Sequence, residues 1–340
     1  MFIKYVGLAG ILGAALITPS PAAAQGLETL GSRAAAMGAF VAVADDASAV
    51  AWNPAGLITG PIFNISIDLG RSEQGPAGPP QPAGQAGQSE TTLFALGTMP
   101  VGVAYYRIGT TTADAFSPAD VGIPGRQDPQ VLVRTMVTTH LGVTVQQSFW
   151  NHFTVGAAFK LVRAELGSAI RESSTWDDAL DSSDVIDTPD FTRGDLDVGL
   201  MGAVGPLRAG LVVRNVTEPT FGEDEISDPA KLPRHARVGV AWGNRWPGIA
   251  GTILSFDADL TRLPAVGGER RDVAGGAEHW LAGRRFGVRG GVRASTIGET
   301  RTVVSGGGSV GIRSGFYVDG YVAGGQDEQR AWGIGARLTY

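Results

Sequence analysis

Cysteine is absent from the 340 residues, so no disulfide can staple the fold, and the small cross-linked scaffolds of exported proteins are excluded. A basic excess is absent too: 27 Lys and Arg against 33 Asp and Glu give a net charge of −6 with the signs interspersed, so nucleic acid is not an expected partner. Beyond residue 25 no apolar run approaches the roughly 18 to 20 residues of a membrane-spanning helix, and strong helix-forming stretches are few. What is abundant is glycine, 50 residues of it, among segments of alternating polarity. The chain therefore reads as a large β protein, either a soluble sandwich or propeller or a membrane barrel.

The one early apolar run, Tyr5 to Ile17, follows Lys4 and precedes Pro19, Pro21 and Ala22, Ala23 and Ala24. Charge, short apolar core and small residues in that order read as a secretory signal peptide over residues 1–24, with cleavage expected before Gln25.

Val131 to Gln147 shows the alternation most fully. Val131, Val133, Thr135, Val137, Thr139, Leu141, Val143 and Val145 share one face, and Arg134, Thr138, His140, Thr144 and Gln146 the other. Side chains alternate along a strand, so this one is apolar on one side and polar on the other for longer than is usual. Similar segments at 62–70, 91–98, 101–110, 152–165, 195–204, 207–216, 235–243, 252–261, 272–280, 285–294, 301–312, 316–323 and 330–340 bring the tally to about 14, an even number as bacterial outer-membrane barrels require. Links at Met99-Pro100, 148–151, Gly205-Pro206, 281–284 and 313–314 are tight; those at 71–89, 111–130, 166–190 and 217–234 are long and polar. A longer turn at 243–250 breaks the rule on the tight side.

The polar face carries Asp195, Asp197, Arg208, Arg214, Asp257, Asp259, Arg285, Arg289 and Arg293 at even spacings. In a barrel these line a wet lumen, whereas an arginine facing lipid near the midplane would cost about 2 to 4 kcal/mol. A sandwich would set its polar face in bulk water on shorter strands. The expected fold is all-β: a transmembrane antiparallel β-barrel of about 14 strands over residues 61–340. Trp332, Ile334, Ala336, Leu338 and Tyr340 share a face of the last segment, and Trp150, Trp242, Trp246 and Trp280 near strand ends suit interfacial girdles.

Residues Gly31 to Phe40 (GSRAAAMGAF), Val41 to Val50 (VAVADDASAV) and Trp52 to Leu57 (WNPAGL) together resemble the N-terminal signature of FadL-like and PorV-like outer-membrane proteins. The stretches RNVTEP from Arg214 and LPRHARVGV from Leu232 are similar to the PorV-like branch, which includes TraF-like proteins. One departure is Met37-Gly38-Ala39, where the family pattern usually reads Met-Gly-Gly-Ala.

The resemblance implies the outer membrane of a Gram-negative-type bacterium, with residues 25–60 folded inside the barrel as a plug. It places ligand gating on Phe40, Val41, Val43, Asp45, Asp46, Trp52, Asn53, Pro54, Ala55 and Gly56. The implied partners are outer-membrane lipid and, through the strand ending in Tyr340, the barrel assembly machinery. The residues agree locally. Ser32 is placed to cap a helix to Met37, and Asp45 one over 47–51. Pro54 stops the second helix at Asn53, and Gly56 permits the turn that follows. Phe40, Val41, Val43 and Trp52 are expected to help line an apolar pocket beside the plug.

Other motifs carry less. Gly306-x-Gly308-x-x-Gly311 matches a dinucleotide fingerprint, but that motif needs a helix opening after it, and 303–312 reads as a strand, so the glycines serve close approach within the wall. The pairs Asp195/Asp197 and Asp257/Asp259 suit a solvated lumen face or ion pairs with neighbouring arginines better than a divalent cation. The ladder Arg285, Arg289, Arg293 reads as ordinary lumen polarity before it reads as an anion site. His140, His152, His235 and His279 are scattered, so no enzyme is expected, nor any cofactor or metal. Two functions survive: a passive channel for hydrophobic or amphipathic small molecules, and a barrel that docks cargo or a component of a secretion system without passing solute.

Overall fold

The chain is described by a computed structural model covering residues 30–340, apart from 77–78, 82–83, 117–129, 151, 183–187, 223–228, 244–250, 267, 299–300 and 327. The signal-peptide reading, Trp246 and the turn at 244–250 lie outside the described residues.

Two short helices come first, α1 (Ser32–Met37) and α2 (Ala49–Trp52), then a 3-10 turn at Leu57–Thr59. The strands β1 (Phe63–Gln74), β2 (Gln85–Thr98), β3 (Val101–Phe116), β4 (Gln130–Phe149) and β5 (Phe153–Glu172) follow, then α3 (Trp176–Asp181). Next come β6 (Asp190–Val204), β7 (Leu207–Arg214), the small pair β8 (Thr220–Phe221) and β9 (Ala230–Lys231), β10 (His235–Gly243) and β11 (Thr252–Asp259). A second small pair, β12 (Leu263–Ala265) and β13 (Gly268–Arg270), precedes β14 (Asp272–Leu281), β15 (Phe286–Ser295), β16 (Thr302–Arg313), β17 (Phe316–Gly325) and β18 (Arg330–Thr339).

Fourteen of these strands close on themselves: β1 to β7, β10, β11 and β14 to β18, each antiparallel to its neighbours, with β1 joined to β18 from Asn64↔Thr339 to Glu73↔Arg330. Closure leaves no unpaired edge, the condition for backbone to sit in hydrocarbon. Both ends of the barrel chain and the tight turns lie at one end, called here the turn end; the long connections lie at the other, the loop end.

Alternation sorts the side chains as expected. Leu141, Val143 and Val145 of β4 face outward and are exposed, while Thr138, His140, Thr144 and Gln146 face inward and are buried. Ile67, Leu69, Phe94, Phe159, Leu161 and Phe256 extend an exposed apolar belt around the wall, far larger than a water-facing surface tolerates. Outward Arg71, Glu90, Arg107, Arg163 and Arg330 bound it at the loop end.

Several strands run past this belt. At about 3.3 Å per residue, β4 and β5, 20 residues each, reach about 65 Å, where a tilted membrane strand needs only 9 to 11 residues or so. Stretches read from sequence as loop, at 71–74, 85–89, 111–116 and 166–172, continue the strands instead, because backbone pairing persists after the lipid-facing pattern stops. On this extension Ala86, Ala113, Val131 and Val133 face outward, yet α3 covers them with Trp176, Ala179 and Leu180. Thr175 caps α3, its Oγ1 accepting from the Asp178 amide at 3.1 Å.

Two readings are corrected here. Trp280 faces the interior, not an interfacial girdle: it is buried, with its ring edge-on to Tyr317 at 5.4 Å, because it falls on the inward register of β14. Arg285 does not line the lumen but lies exposed in the turn between β14 and β15, one residue short of the strand.

Candidate functional site

From Leu30 to Leu57 every residue except Gly38 is buried, and the segment's polar groups bond to inward side chains of strands around the ring. The Ser32 amide donates to Asp68 of β1 at 2.8 Å, and the Phe40 and Val41 amides to Asp257 of β11 at 2.7 and 3.0 Å. Ser255 of β11 and Ser305 of β16 donate to the carbonyls of Ala39 and Ala36, each at 2.9 Å. The Ile58 amide donates to Gln146 of β4 at 3.0 Å. The wall makes room by withholding side chains: a Cβ on Gly276 would collide with the Met37 carbonyl, and one on Gly199 with Asn53.

The helix starts differ from the sequence reading. Ser32 does not cap α1; the Asp68 carboxylate, reached from the wall, takes the free amide. At α2 it is Asp46, not Asp45, that receives the Ser48 amide at 3.0 Å. Asn53 ends α2 in an extended conformation before Pro54, as its neighbour requires. Gly56 is helical rather than left-handed; its need is the Ala44 carbonyl, against which a Cβ would clash. Gly38, the one glycine kept where the family pattern has two, has φ +69° and ends α1.

Charged groups tie segment and wall into a closed circuit. Arg33 Nε meets Glu278 at 2.8 Å, Glu278 meets Arg289 at 2.7 Å, and Arg289 meets Asp319 at 3.2 Å. Asp319 meets Arg337 at 3.3 Å, Arg337 meets Asp46 at 3.4 Å, and Asp46 returns to Arg33 at 3.0 Å. Asp45 adds a spur, 2.7 Å from Arg33 and 3.5 Å from Arg208. Burial raises the Asp46 carboxyl, but Arg33 and then Arg337 outweigh it and hold the group below the ordinary carboxylate range.

Phe40 and Trp52 pack edge-on at 5.8 Å, and with Val43, Ala55, Leu30 and Leu57 they are fully or almost fully buried. These rings and Val43 fill a closed core with Leu93 and Ile108 of the wall rather than border an open pocket, and Val41 is buried against Gly210 and Gly239. Arg214 lies over the Trp52 ring at 5.1 Å, and the Asn53 side chain donates to the Val41 carbonyl at 3.0 Å.

Elsewhere in the lumen, Asp195 and Asp197 meet Lys160 at 2.8 and 2.7 Å, a lysine rather than the arginines expected. Asp259 holds Arg237 at 2.6 Å and His235 at 2.8 Å, so its carboxylate is already engaged. Arg293 faces Asp272 at 3.5 Å. Among the described residues no cluster has the makings of a metal site. Gly306 and Gly308 point outward, and it is the intervening Gly307 that faces Ala36. Arg33, Lys160, Glu278, Asp319 and Arg337 escaped the sequence reading; for the last four the signal was a charge at the inward parity of its strand, and for Arg33, on α1, there was none of that kind.

Two spaces flank α1. Toward the loop end a cavity of about 110 Å³ lies under the β12–β13 hairpin and is floored by Ala35 and Gly38. Toward the turn end a vestibule of about 610 Å³ is bordered by Arg33, Asp45, Asp46, Arg208, Arg284 and Arg337. The β8–β9 hairpin closes another part of the loop end, setting Phe221 and Leu232 against inward Val162 and Leu166.

No curated protein matches the chain. Residues 89–252 match the family described as "F plasmid transfer operon, TraF, protein". The fold is similar to the CymD monoaromatic hydrocarbon channel, with a TM-score of 0.60 and 12% identity over 93% of this chain and 99% of that one. It is similar to the P. putida toluene transporter TodX, with a TM-score of 0.59 and 12% identity over 92% and 99% of the two chains. A Pseudomonas aeruginosa FadL homologue aligns with a TM-score of 0.53 and 11% identity over 87% and 94%. The likeness is one of fold, and it agrees with the resemblance carried by residues 31–57.

Proposed function

We propose that the protein is an outer-membrane channel through which small hydrophobic or amphipathic molecules diffuse passively, with residues 25–60 as its plug. The loop end then faces the exterior and the turn end the periplasm. What carries this reading is the pair of spaces on either side of α1, inside a barrel of the same fold as hydrocarbon channels. Solute entering the outer cavity meets one short helix before the vestibule. Opening requires that the solute favour a displaced arrangement of the plug over the docked one. Phe40, Val41, Val43, Trp52, Asn53, Pro54, Ala55 and Gly56 form the packed body that must shift, and Asp45 and Asp46 its ionic latch. The strand ending in Tyr340 is the segment assigned to recognition by the assembly machinery.

A second reading has its own support. The family match is to a transfer-operon protein, and β4 and β5 stand well clear of the apolar belt, so the outer rim offers a platform for a secretion component. Conductance in planar bilayers, with uptake of labelled fatty acids and aromatic hydrocarbons by cells with and without the protein, separates the two. The channel reading is abandoned if uptake is independent of the protein, or if deleting residues 26–57 leaves permeability unchanged.

A further inference from the structure

The turn end carries side-chain charge of one sign. None of its tight links contains Asp or Glu, and the acids nearest to it, Asp45, Asp46, Glu278 and Asp319, are buried in the interior. Three arginines stand on neighbouring hairpins, Arg284 and Arg285 between β14 and β15 and Arg313 at the end of β16. Arg284 turns inward, its guanidinium over the Trp280 ring at 4.8 Å. Arg285 and Arg313 are exposed, and neither is paired with a carboxylate among the described residues. Arg71, Arg163 and Arg262 at the loop end differ, for each holds a carboxylate, at 2.7, 3.2 and 3.2 Å.

A slip of register aims Arg313. Position 313 has the parity of Ser309 and Gly311, which face the lumen, yet one extra residue between Gly311 and Arg313 pairs Arg313 with Phe316 on the outer face. Arg285 lies alongside, its carbonyl accepting from the Gly311 amide at 2.7 Å. Arg313 is two residues further along that strand, roughly 7 Å, so both side chains can meet one anion. Beside them Phe286, Val310, Ile312 and Phe316 are exposed and belong to the apolar belt. The two arginines thus stand where hydrocarbon gives way to headgroups.

We infer that Arg285 and Arg313 bind the phosphate of a glycerophospholipid whose headgroup carries no cation, its acyl chains lying against Phe286, Ile312 and Phe316. Position decides the source of the anion. A soluble phosphate gains nothing from the apolar residues beside the arginines, whereas a lipid satisfies both halves of the patch. Charge decides the headgroup. The ammonium of an ethanolamine headgroup would lie beside unpaired guanidinium groups with no side-chain carboxylate to receive it; a glycerol headgroup has no such conflict. The inference is independent of solute passage, and it needs the loop end to face outside only to place this lipid in the inner leaflet.

The test is native mass spectrometry of the detergent-solubilised full chain with phosphatidylglycerol or phosphatidylethanolamine added at equal concentration. A single phosphatidylglycerol is expected to be held about tenfold more tightly than phosphatidylethanolamine, a factor within what two arginines at a lipid surface supply. Arg285→Gln with Arg313→Gln should cut that preference to about twofold or less, while heat-modifiable gel migration stays that of a folded barrel. Arg71→Gln, at the loop end, should leave it unchanged, and excess glycerol phosphate should not displace the lipid. Equal retention of the two lipids, a preference that survives the double substitution, one lost equally in Arg71→Gln, or displacement by glycerol phosphate would each overturn the assignment. Phosphatidylglycerol binding without solute uptake keeps this site and removes the channel; uptake with no lipid preference does the reverse.

Discussion

Arg33 and Glu278, 245 positions apart in sequence, meet in a two-point contact, Nε to Oε2 at 2.8 Å and Nη2 to Oε1 at 3.0 Å. The pair fixes the first turn of the N-terminal segment against β14. Both side chains are nearly inaccessible, 6% and 1% exposed, so the pair gains little net stability against an apolar equivalent but penalises the loss of either partner heavily.

Glu278→Ala should therefore destabilise the docked segment by about 3 to 5 kcal/mol, because it takes a carboxylate from both Arg33 and Arg289, while Glu278→Gln, which keeps an acceptor for them, should lose less. Protease sensitivity of residues 30–60 in the folded barrel reports it. A Glu278→Ala variant as resistant as the unaltered protein would show that the contact has no such role.

Gly276→Val tests the seat of the segment. Its new side chain meets the Met37 carbonyl, so α1 must lift away. Bilayer conductance should rise severalfold while unboiled gel migration stays that of a folded barrel. Unchanged conductance with a folded barrel would mean that α1 does not obstruct the pore.

Acid should undo the latch in a defined window. A carboxyl held below its ordinary value stabilises the docked state above that value, about 3.9, and the contribution fades as pH falls toward the depressed one. Conductance should stay flat from neutral pH to about 4 and rise only below it, and Asp46→Asn should weaken docking already at neutral pH. A step near pH 6 would point to a different group.

Single-tryptophan variants in brominated lipid test the sorting of side chains. Trp332, outward and 53% exposed, should be strongly quenched, whereas Trp280 and Trp52, 5% and 2% exposed, should not. Quenching of Trp280 would reverse the register of β14.

The strand count and the outward belt were legible because a period of two survives wherever one face meets hydrocarbon. Trp280 shows where that stops: tryptophan near a strand end suits a girdle, and only the parity of Glu278 and Asp272 beside it places its ring inside. The cavity was illegible for a different reason. Thr110, Ser89, Ser72, Ala331, Ala323 and Ser305 are unremarkable one at a time, and only the register of six strands lines them up. The ionic circuit was hidden likewise, since Arg33 and Asp46 find their wall partners through closure of the ring.

Ala35 borders the outer cavity while Arg33, less than one turn away on the same short helix, borders the inner vestibule. The two compartments thus share a septum a single helix thick, about 10 Å with its side chains. Resistance to crossing is concentrated in that one element, so the surrounding staves can remain rigid while a local tilt or unwinding merges the two volumes.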